Sequence, residues 1–219
     1  MDKKKAVYVP TVGEEIGNAV SHGVMSLLSL LALPFAAVWA YAHDPGGVLA
    51  SVSVSVFVIS IFLMFLASTL YHSMNPQSKH KEVFHILDHI FIYVAIAGSY
   101  TPFCLITLAN DGGAVLFFAV WVIAIIGIAL ECFMRERQPH WVSGLVYLLM
   151  GWLVVFKLPE LVSLLNPVAL ALLAVGGVCY TAGVPFYIAK NVRYLHSVFH
   201  LWVLAGSIFQ FMAVILFVI

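Results

Sequence analysis

The chain has 219 residues, of which 63% are hydrophobic and only 9% are charged, and its ten basic residues balance its ten acidic ones. In soluble domains about a quarter of the residues are charged. A chain of this length also cannot bury so much apolar surface in a core of its own. The composition therefore excludes a soluble protein and indicates an integral membrane protein, and the even charge balance points to no nucleic-acid partner.

Seven apolar segments are long enough to cross a bilayer as helices, since the hydrocarbon core takes about 20 residues. They cover residues 18–41, 48–71, 86–106, 114–134, 141–158, 168–187 and 196–219. We find no repeat, low-complexity tract or linker. Residues 1–219 are therefore expected to form a single all-α domain, a seven-transmembrane helix bundle in the membrane.

Two local features could disturb these helices. The alternating sequence SVSVSV at residues 51–56 is typical of a strand, but it lies in a long apolar run. An unpaired strand there would leave its backbone groups unsatisfied in lipid, so the helix is favoured. Kinks are expected at Pro34, Pro102 and Pro185.

The basic residues predict the orientation of the bundle. Nine of the ten fall on one side of the predicted topology, at Lys3, Lys4, Lys5, Lys79, Lys81, Arg135, Arg137, Lys190 and Arg193, and only Lys157 falls on the other. Short cytoplasmic loops are enriched in Lys and Arg. The N-terminus is therefore predicted to be cytoplasmic and the C-terminus extracytoplasmic.

Five polar residues come to the predicted cytoplasmic boundary from three different spans. Span two ends with Ser68 and His72, span three begins with Asp88, and span seven begins with His196 and His200. At a rise of about 1.5 Å per residue they lie within roughly two turns of that boundary. His196 and His200 share a helix face and could therefore bind one ion. Ser68 and His72 have the same spacing, so Ser68 can face the same pocket.

These residue types suit a metal site. Three imidazoles and a water form a common catalytic zinc shell, zinc lowers the pKa of such a water to about 7, and Asp88 could hold that water or act as a general base. In the alternative interpretation each histidine is interfacial, with its polar tip among the headgroups. A carboxylate within a span is costly and usually functional, and the convergence at one depth favours the metal site.

Other polar residues on the same side have less certain roles. Glu15, Asn18 and His22 share one face at the start of span one, where they could support the pocket or where the acid could only complement the helix dipole. His89 points about 100° away from Asp88 and is expected at the interface, and Glu131 is expected to extend into the headgroups. His80 and His85 are assigned to a loop.

Three motifs together resemble the bacterial hemolysin III proteins: STLYH at 68–72, LDHIFIYVAIAGSYTPF at 87–103 and HSVFH at 196–200. The sequence EEIGNAVSHG at 14–23 fits the same pattern. These proteins are relatives of the progestin and adiponectin receptors, in a superfamily with the alkaline ceramidases. The resemblance implies a multi-pass protein of the bacterial inner membrane with a zinc ion (Zn²⁺) near the cytoplasmic leaflet. His72, His196 and His200 would be direct ligands, Asp88 would hold the zinc-bound water, and Ser68 would line the site.

Three functions follow from this resemblance and from the residues. The first is zinc-dependent hydrolysis of a lipid amide or ester in membrane-lipid homeostasis, with Asp88 and Ser68 as catalytic-site residues and membrane lipids as partners. The second is a non-catalytic sensor or receptor with structural zinc. The third is a pore-forming or cytolytic protein, against which the lack of a sustained polar stripe on any span argues. Protein partners and oligomeric state are not predicted.

Overall fold

A computed structural model of the protein describes residues 8–134, 140–189 and 192–219. Within these residues all regular structure is helical, and seven helical segments are long and apolar enough to cross a bilayer. The predicted all-α, seven-transmembrane fold is thus confirmed. The orientation stays a prediction. Several basic residues that support it lie outside the described residues: Lys3, Lys4, Lys5, Arg135, Arg137 and Lys190.

Eight α-helices build these seven spans. They are α1 (Val12–His43), α2 (Val48–Ser73), α3 (Lys79–Pro102), α4 (Gly113–Met134), α5 (His140–Gly151), α6 (Leu158–Leu164), α7 (Pro167–Ile188) and α8 (Leu195–Phe217). A π turn, Phe103–Thr107, extends α3, and a 3₁₀ segment, Trp152–Lys157, joins α5 to α6 within the fifth span.

Two helices begin earlier than the hydropathy predicted. α1 begins at Val12 rather than at residue 18 because Thr11 and Glu14 form a reciprocal capping box there. α3 begins at Lys79 rather than at residue 86, and the Ser78 side chain accepts a hydrogen bond from the backbone of its first turn. Hydropathy marks the length inside the hydrocarbon, whereas capped polar turns extend beyond it. His80 and His85 are consequently helical, and their assignment to a loop was wrong.

The fifth span is longer than predicted and is interrupted near its middle. It continues to Leu164 instead of ending at residue 158. The Tyr100 hydroxyl accepts a hydrogen bond from the Val154 amide at 2.9 Å and donates one to the Gly151 carbonyl at 2.6 Å. A side chain inserted into the backbone ladder in this way disrupts regular α-helix, which accounts for the 3₁₀ segment.

Pro102 behaves differently from the other two prolines. After Pro102 the chain passes into the π turn, in which the Leu108 amide donates to the Phe103 carbonyl five residues back at 2.8 Å. Pro34 and Pro185 lie inside uninterrupted helices.

The SVSVSV stretch is helical throughout, and the hydroxyls of Ser53 and Ser55 donate to the carbonyls four residues earlier at 2.7 Å. Serine is tolerated in lipid because its hydroxyl is satisfied within the helix.

The spans pack as a closed ring in the order α1, α2, α3, α4, α5, α7, α8 and back to α1. Close approach of α2 and α3 depends on Gly98, where an added Cβ would lie 2.2 Å from the Ser60 hydroxyl oxygen. The outward-facing surface is rich in exposed Leu, Val, Ile and Phe side chains, as a hydrocarbon solvent requires. Most of the buried polar side chains described below lie inside this ring, at the end where α2 terminates and α8 begins.

Candidate metal centre

Three histidines meet at one end of the ring. His72 comes from the last turn of α2, and His196 and His200 come from the first two turns of α8. The Nε2 atom of His196 lies 3.4 Å from Nε2 of His72 and 3.3 Å from Nε2 of His200. One ligand atom from each ring falls within 4.8 Å of the other two. His72 and His200 are buried and His196 is half-buried, so this cluster could hold a metal ion.

The contacts of His72 suit such a role. Its Nδ1 lies 2.5 Å from Oε2 of Glu15, and the other oxygen of that carboxylate accepts a hydrogen bond from Lys81 Nζ at 2.9 Å. A carboxylate only accepts hydrogen bonds, so Nδ1 of His72 carries the proton. In the neutral ring the lone pair is then on Nε2, the atom that faces Nε2 of His196, as metal binding by imidazole requires.

The polar face of α1 lies against this cluster. Besides the contact of Glu15, the ring of His22 stacks on that of His200, with centroids 3.7 Å apart and planes inclined by 11°. Asn18 and His22 are 2% and 3% exposed. Within the part of the chain that the structure describes, neither ring nitrogen of His22 has a hydrogen-bond partner. Of the two alternatives for this face, support of the pocket is therefore favoured over a purely dipolar role. Glu15 contacts His72, and His22 contacts His200.

Asp88 and Ser68 line a cavity together with His196, His200 and His22. Ser68 is 2% exposed and Asp88 is half-buried. Neither contributes to the group of converging ligand atoms, which in the described residues consists of the three histidines. This arrangement matches the predicted positions of the two residues around a shared pocket, while their catalytic roles stay predictions.

The cavity continues from these polar groups along the interior of the ring and has a volume of about 390 Å³. Its far end, near the starts of α4 and α7, is lined by Leu108, Leu116, Leu161 and Leu170. Between the two ends most lining residues are aliphatic or aromatic, and a few polar ones are interspersed, among them Ser99, Thr181 and Gln210. The space is thus polar at the histidine end and mostly apolar elsewhere.

Comparison with known proteins identifies the family. A model of the family described as Haemolysin-III related matches residues 11–211. The chain belongs to the hemolysin III family.

Three relatives show how similar this chain is to known proteins. The Hemolysin-3 homolog of Bacillus subtilis (strain 168) is 39% identical over 207 residues, which cover 94% of this chain and 95% of the relative. Hemolysin-3 of Bacillus cereus is 38% identical over 219 residues, or 100% and 98% of the two chains. The human Monocyte to macrophage differentiation factor is 26% identical over 166 residues, or 73% and 67%. The predicted resemblance is confirmed, and seven spans in a member of this bacterial family make the chain a multi-pass inner-membrane protein.

This hemolysin III family member also contains a second buried imidazole–carboxylate pair, which sequence reasoning missed. Nδ1 of His89 on α3 lies 2.6 Å from Oε1 of Glu131 on α4, and the side chains are 6% and 5% exposed. Ser143 donates to the other Glu131 oxygen at 3.4 Å, and the Tyr147 hydroxyl donates to the His89 carbonyl at 3.1 Å. Placing His89 at the interface and Glu131 among the headgroups was therefore wrong. The available signal was an acidic residue inside the apolar span 114–134, where charge is expensive unless paired.

Proposed function

We propose that this protein is a zinc-dependent hydrolase that cleaves an amide or ester bond of a membrane lipid and thereby serves membrane-lipid homeostasis. The observation that carries the proposal is the convergence of three imidazole Nε2 atoms at the polar end of a long apolar cavity. A polar reactive centre joined to an apolar channel suits a substrate with a polar linkage and a hydrocarbon chain.

The spacing of the nitrogens supports zinc. In a tetrahedral zinc site with Zn–N bonds of about 2.0–2.1 Å, neighbouring nitrogens are about 3.3–3.4 Å apart. The two separations that involve His196 are 3.4 Å and 3.3 Å. Three histidines also leave the fourth tetrahedral position for water or substrate, as in catalytic zinc sites. His72, His196 and His200 are therefore the residues that would hold the ion.

The reaction assigned to this site is hydrolysis. Zinc bound here would polarise the scissile carbonyl and lower the pKa of the attacking water. Asp88, half-buried in the cavity wall, would accept a proton from that water and return it to the leaving amine or alkoxide. A C–O bond forms from water, the C–N or C–O bond of the substrate breaks, and the proton ends on the leaving group. The Ser68 hydroxyl would hydrogen-bond to the substrate at the same end.

The remainder of the cavity fits an acyl chain. Its volume of about 390 Å³ lies within the range of about 300–1,000 Å³ that is typical of small-molecule sites. Its far end is walled by leucines. The histidine end lies near the predicted cytoplasmic boundary, where lipid headgroups and their amide or ester linkages reside. Membrane lipids are accordingly the proposed substrates.

The test is lipid turnover by the purified full chain in detergent. Zinc-loaded protein is incubated with a panel of long-chain acyl amides and esters, and released fatty acid is measured by mass spectrometry. Asp88→Asn should lower turnover by about 100-fold or more, the usual contribution of a proton-transfer group, without loss of zinc. Asp111→Asn, an exposed loop residue, is the matched control and should retain full turnover. Equal turnover in the two variants would contradict the role of Asp88.

A second candidate is a non-catalytic sensor or receptor in which zinc is a structural clamp. It is favoured by the origin of the three histidines, since zinc would tie the end of α2 to the start of α8 and contribute folding free energy directly. Zinc-loaded wild type without turnover on any lipid of the panel, together with a lower unfolding temperature of His72→Ala, would favour this candidate. The name of the Bacillus cereus relative suggests lysis, but an apolar cavity offers no water-filled path, and we propose no pore.

A further inference from the structure

We propose that Glu15 is a positioning residue of the metal centre, which holds His72 in the orientation and tautomer that present Nε2 to the ion. The inference rests on the proposed zinc site and assigns a role to α1, a helix that supplies none of the three ligands.

Both oxygens of Glu15 have a defined partner. Oε2 accepts the Nδ1 proton of His72 at 2.5 Å, and Oε1 accepts from Lys81 Nζ at 2.9 Å. Lys81 in turn donates to the Met74 carbonyl, just past the end of α2, at 3.3 Å. The exposed fractions are 18% for the Glu15 side chain, 3% for His72 and 14% for Lys81. Because both of its oxygens are held, the Glu15 carboxylate has one orientation. Its hydrogen bond to Nδ1 in turn fixes the orientation of the His72 ring.

The neighbouring acid, Glu14, performs the helix-capping task that Glu15 would otherwise be assigned. One Glu14 oxygen accepts from the backbone amide and hydroxyl of Thr11, both at 2.8 Å. The other accepts from the Tyr194 amide at 2.7 Å. The capping box of α1 therefore forms without Glu15, whose carboxylate points instead across to α2.

The Glu14 contact also fixes α1 against the second ligand-bearing helix. Tyr194 precedes α8 and has a left-handed backbone, with φ of 63°, an uncommon conformation for a bulky residue. It lies two residues before His196. The first turn of α1 thus binds the start of α8 through Glu14 and the end of α2 through Glu15, so that this turn sets the separation of the histidines on the two helices.

The expected consequence for metal binding follows from the chemistry of imidazole. A histidine ligand whose second nitrogen donates to a carboxylate is oriented and made more basic, and loss of the carboxylate typically costs about 10- to 100-fold in metal affinity. Glu15→Ala should weaken zinc binding within this range. Glu15→Gln keeps an oxygen acceptor without the charge, so its loss should be smaller, below about 10-fold.

The experiment uses the full chain in detergent and needs no substrate. Zinc affinity is measured by competition with a chromogenic chelator, and the geometry of the site is followed by the visible d–d spectrum of the Co²⁺-loaded protein. Lys81→Met removes the ion pair but leaves the Glu15–His72 contact, and should change affinity by about fivefold or less, as for a partly exposed salt bridge. Glu160→Gln breaks a comparable Lys–Glu pair, with Lys157 at 2.7 Å, at the other end of the bundle, and should have no effect.

The outcomes separate the inference from its premise. Weaker binding and an altered Co²⁺ spectrum in Glu15→Ala, with intermediate binding in Glu15→Gln, support the positioning role. Wild-type affinity and spectrum in Glu15→Ala overturn it while the zinc site stands. Equal losses in Glu15→Ala and Lys81→Met, matched by equal falls in the unfolding temperature of the metal-free proteins, also overturn it, because the contribution is then to stability alone. A wild type that binds neither ion contradicts the metal centre itself.

Discussion

Two imidazole–carboxylate pairs, one buried and one partly buried, lie at the same end of this bundle and differ in what surrounds them. His72 and Glu15 are separated by 2.5 Å, and His89 and Glu131 by 2.6 Å, with Nδ1 facing the carboxylate in both. The Nε2 atom of His72 meets two further imidazoles. His89 has the rings of His85 and Tyr187 around it, with centroids at 4.4 Å and 6.1 Å.

An imidazole–carboxylate pair by itself therefore does not make a metal site. An imidazole oriented by a carboxylate becomes a ligand when other ligand atoms converge on its second nitrogen, and among the described residues only the group around His72 does so. The pair of His89 and Glu131 instead joins α3 to α4 inside the ring. We assign it a structural role, and the two pairs should therefore respond differently to the same substitutions.

The two pairs should differ most in metal binding. His72→Ala should lower zinc affinity by more than about 100-fold, because loss of a ligand exceeds the cost of losing a group that only orients one. His89→Ala should keep about the wild-type affinity. Competition with a chromogenic chelator measures both, and equal affinities in the two variants would break the distinction between the pairs.

The next effect is on stability and runs the opposite way. His89→Ala leaves the Glu131 carboxylate buried without its imidazole, and breaking a buried pair from one side costs about 3 kcal/mol or more. The free energy of unfolding, measured in mixed detergent micelles on metal-free protein, should fall by that amount. In His72→Ala the loss should be smaller, since Glu15 is partly exposed and keeps Lys81. A larger loss in metal-free His72→Ala would reverse the assignment.

A third prediction replaces whole pairs. The double variant His89→Leu/Glu131→Leu should unfold within about 1 kcal/mol of the wild type, because removing both partners of a buried pair in favour of apolar side chains is often neutral. It should also retain zinc. The corresponding variant Glu15→Leu/His72→Leu should fold but bind no zinc. Failure of the first variant to fold would show that the His89–Glu131 pair does more than join two helices.

The smallest effect concerns Ser143. Its hydrogen bond to Glu131 is long, at 3.4 Å, and its hydroxyl also interacts with the Tyr187 hydroxyl. Ser143→Ala should therefore lower the free energy of unfolding by less than about 1 kcal/mol and leave zinc binding unchanged. Thermal unfolding of the two proteins under identical detergent conditions measures this difference. A loss as large as that of His89→Ala would mean that the hydroxyl is an essential member of the pair.

Much of the fold and of the histidine cluster could be predicted from the sequence because both are encoded in local spacing. Seven apolar runs give seven spans, and the four-residue spacing of His196 and His200 places them on one helix face. His72 could be placed beside them because the predicted topology brings the end of span two and the start of span seven to the same depth in the membrane. The helix starts at Val12 and Lys79 were missed, since they lie in polar turns that hydropathy does not register.

Long-range partners could not be predicted in this way. His89 and Glu131 are 42 residues apart, and their pairing depends on how α3 and α4 are rotated about their axes relative to each other. This relative rotation cannot be inferred from the sequence of either helix alone. The contact of Glu15 with His72 spans 57 residues and could be raised only as one of two alternatives. The break in the fifth span likewise depends on Tyr100 from α3, which no property of residues 141–164 reveals.

The most direct test of the metal centre is the metal content of detergent-purified protein, prepared without chelator and measured by mass spectrometry beside His196→Ala/His200→Ala. We predict about one zinc per chain in the wild type, as for a single three-histidine site, and none in the double variant. A wild type without zinc, or a double variant that keeps it, would contradict the three-histidine zinc site and leave His72, His196 and His200 as a polar cluster inside the bundle.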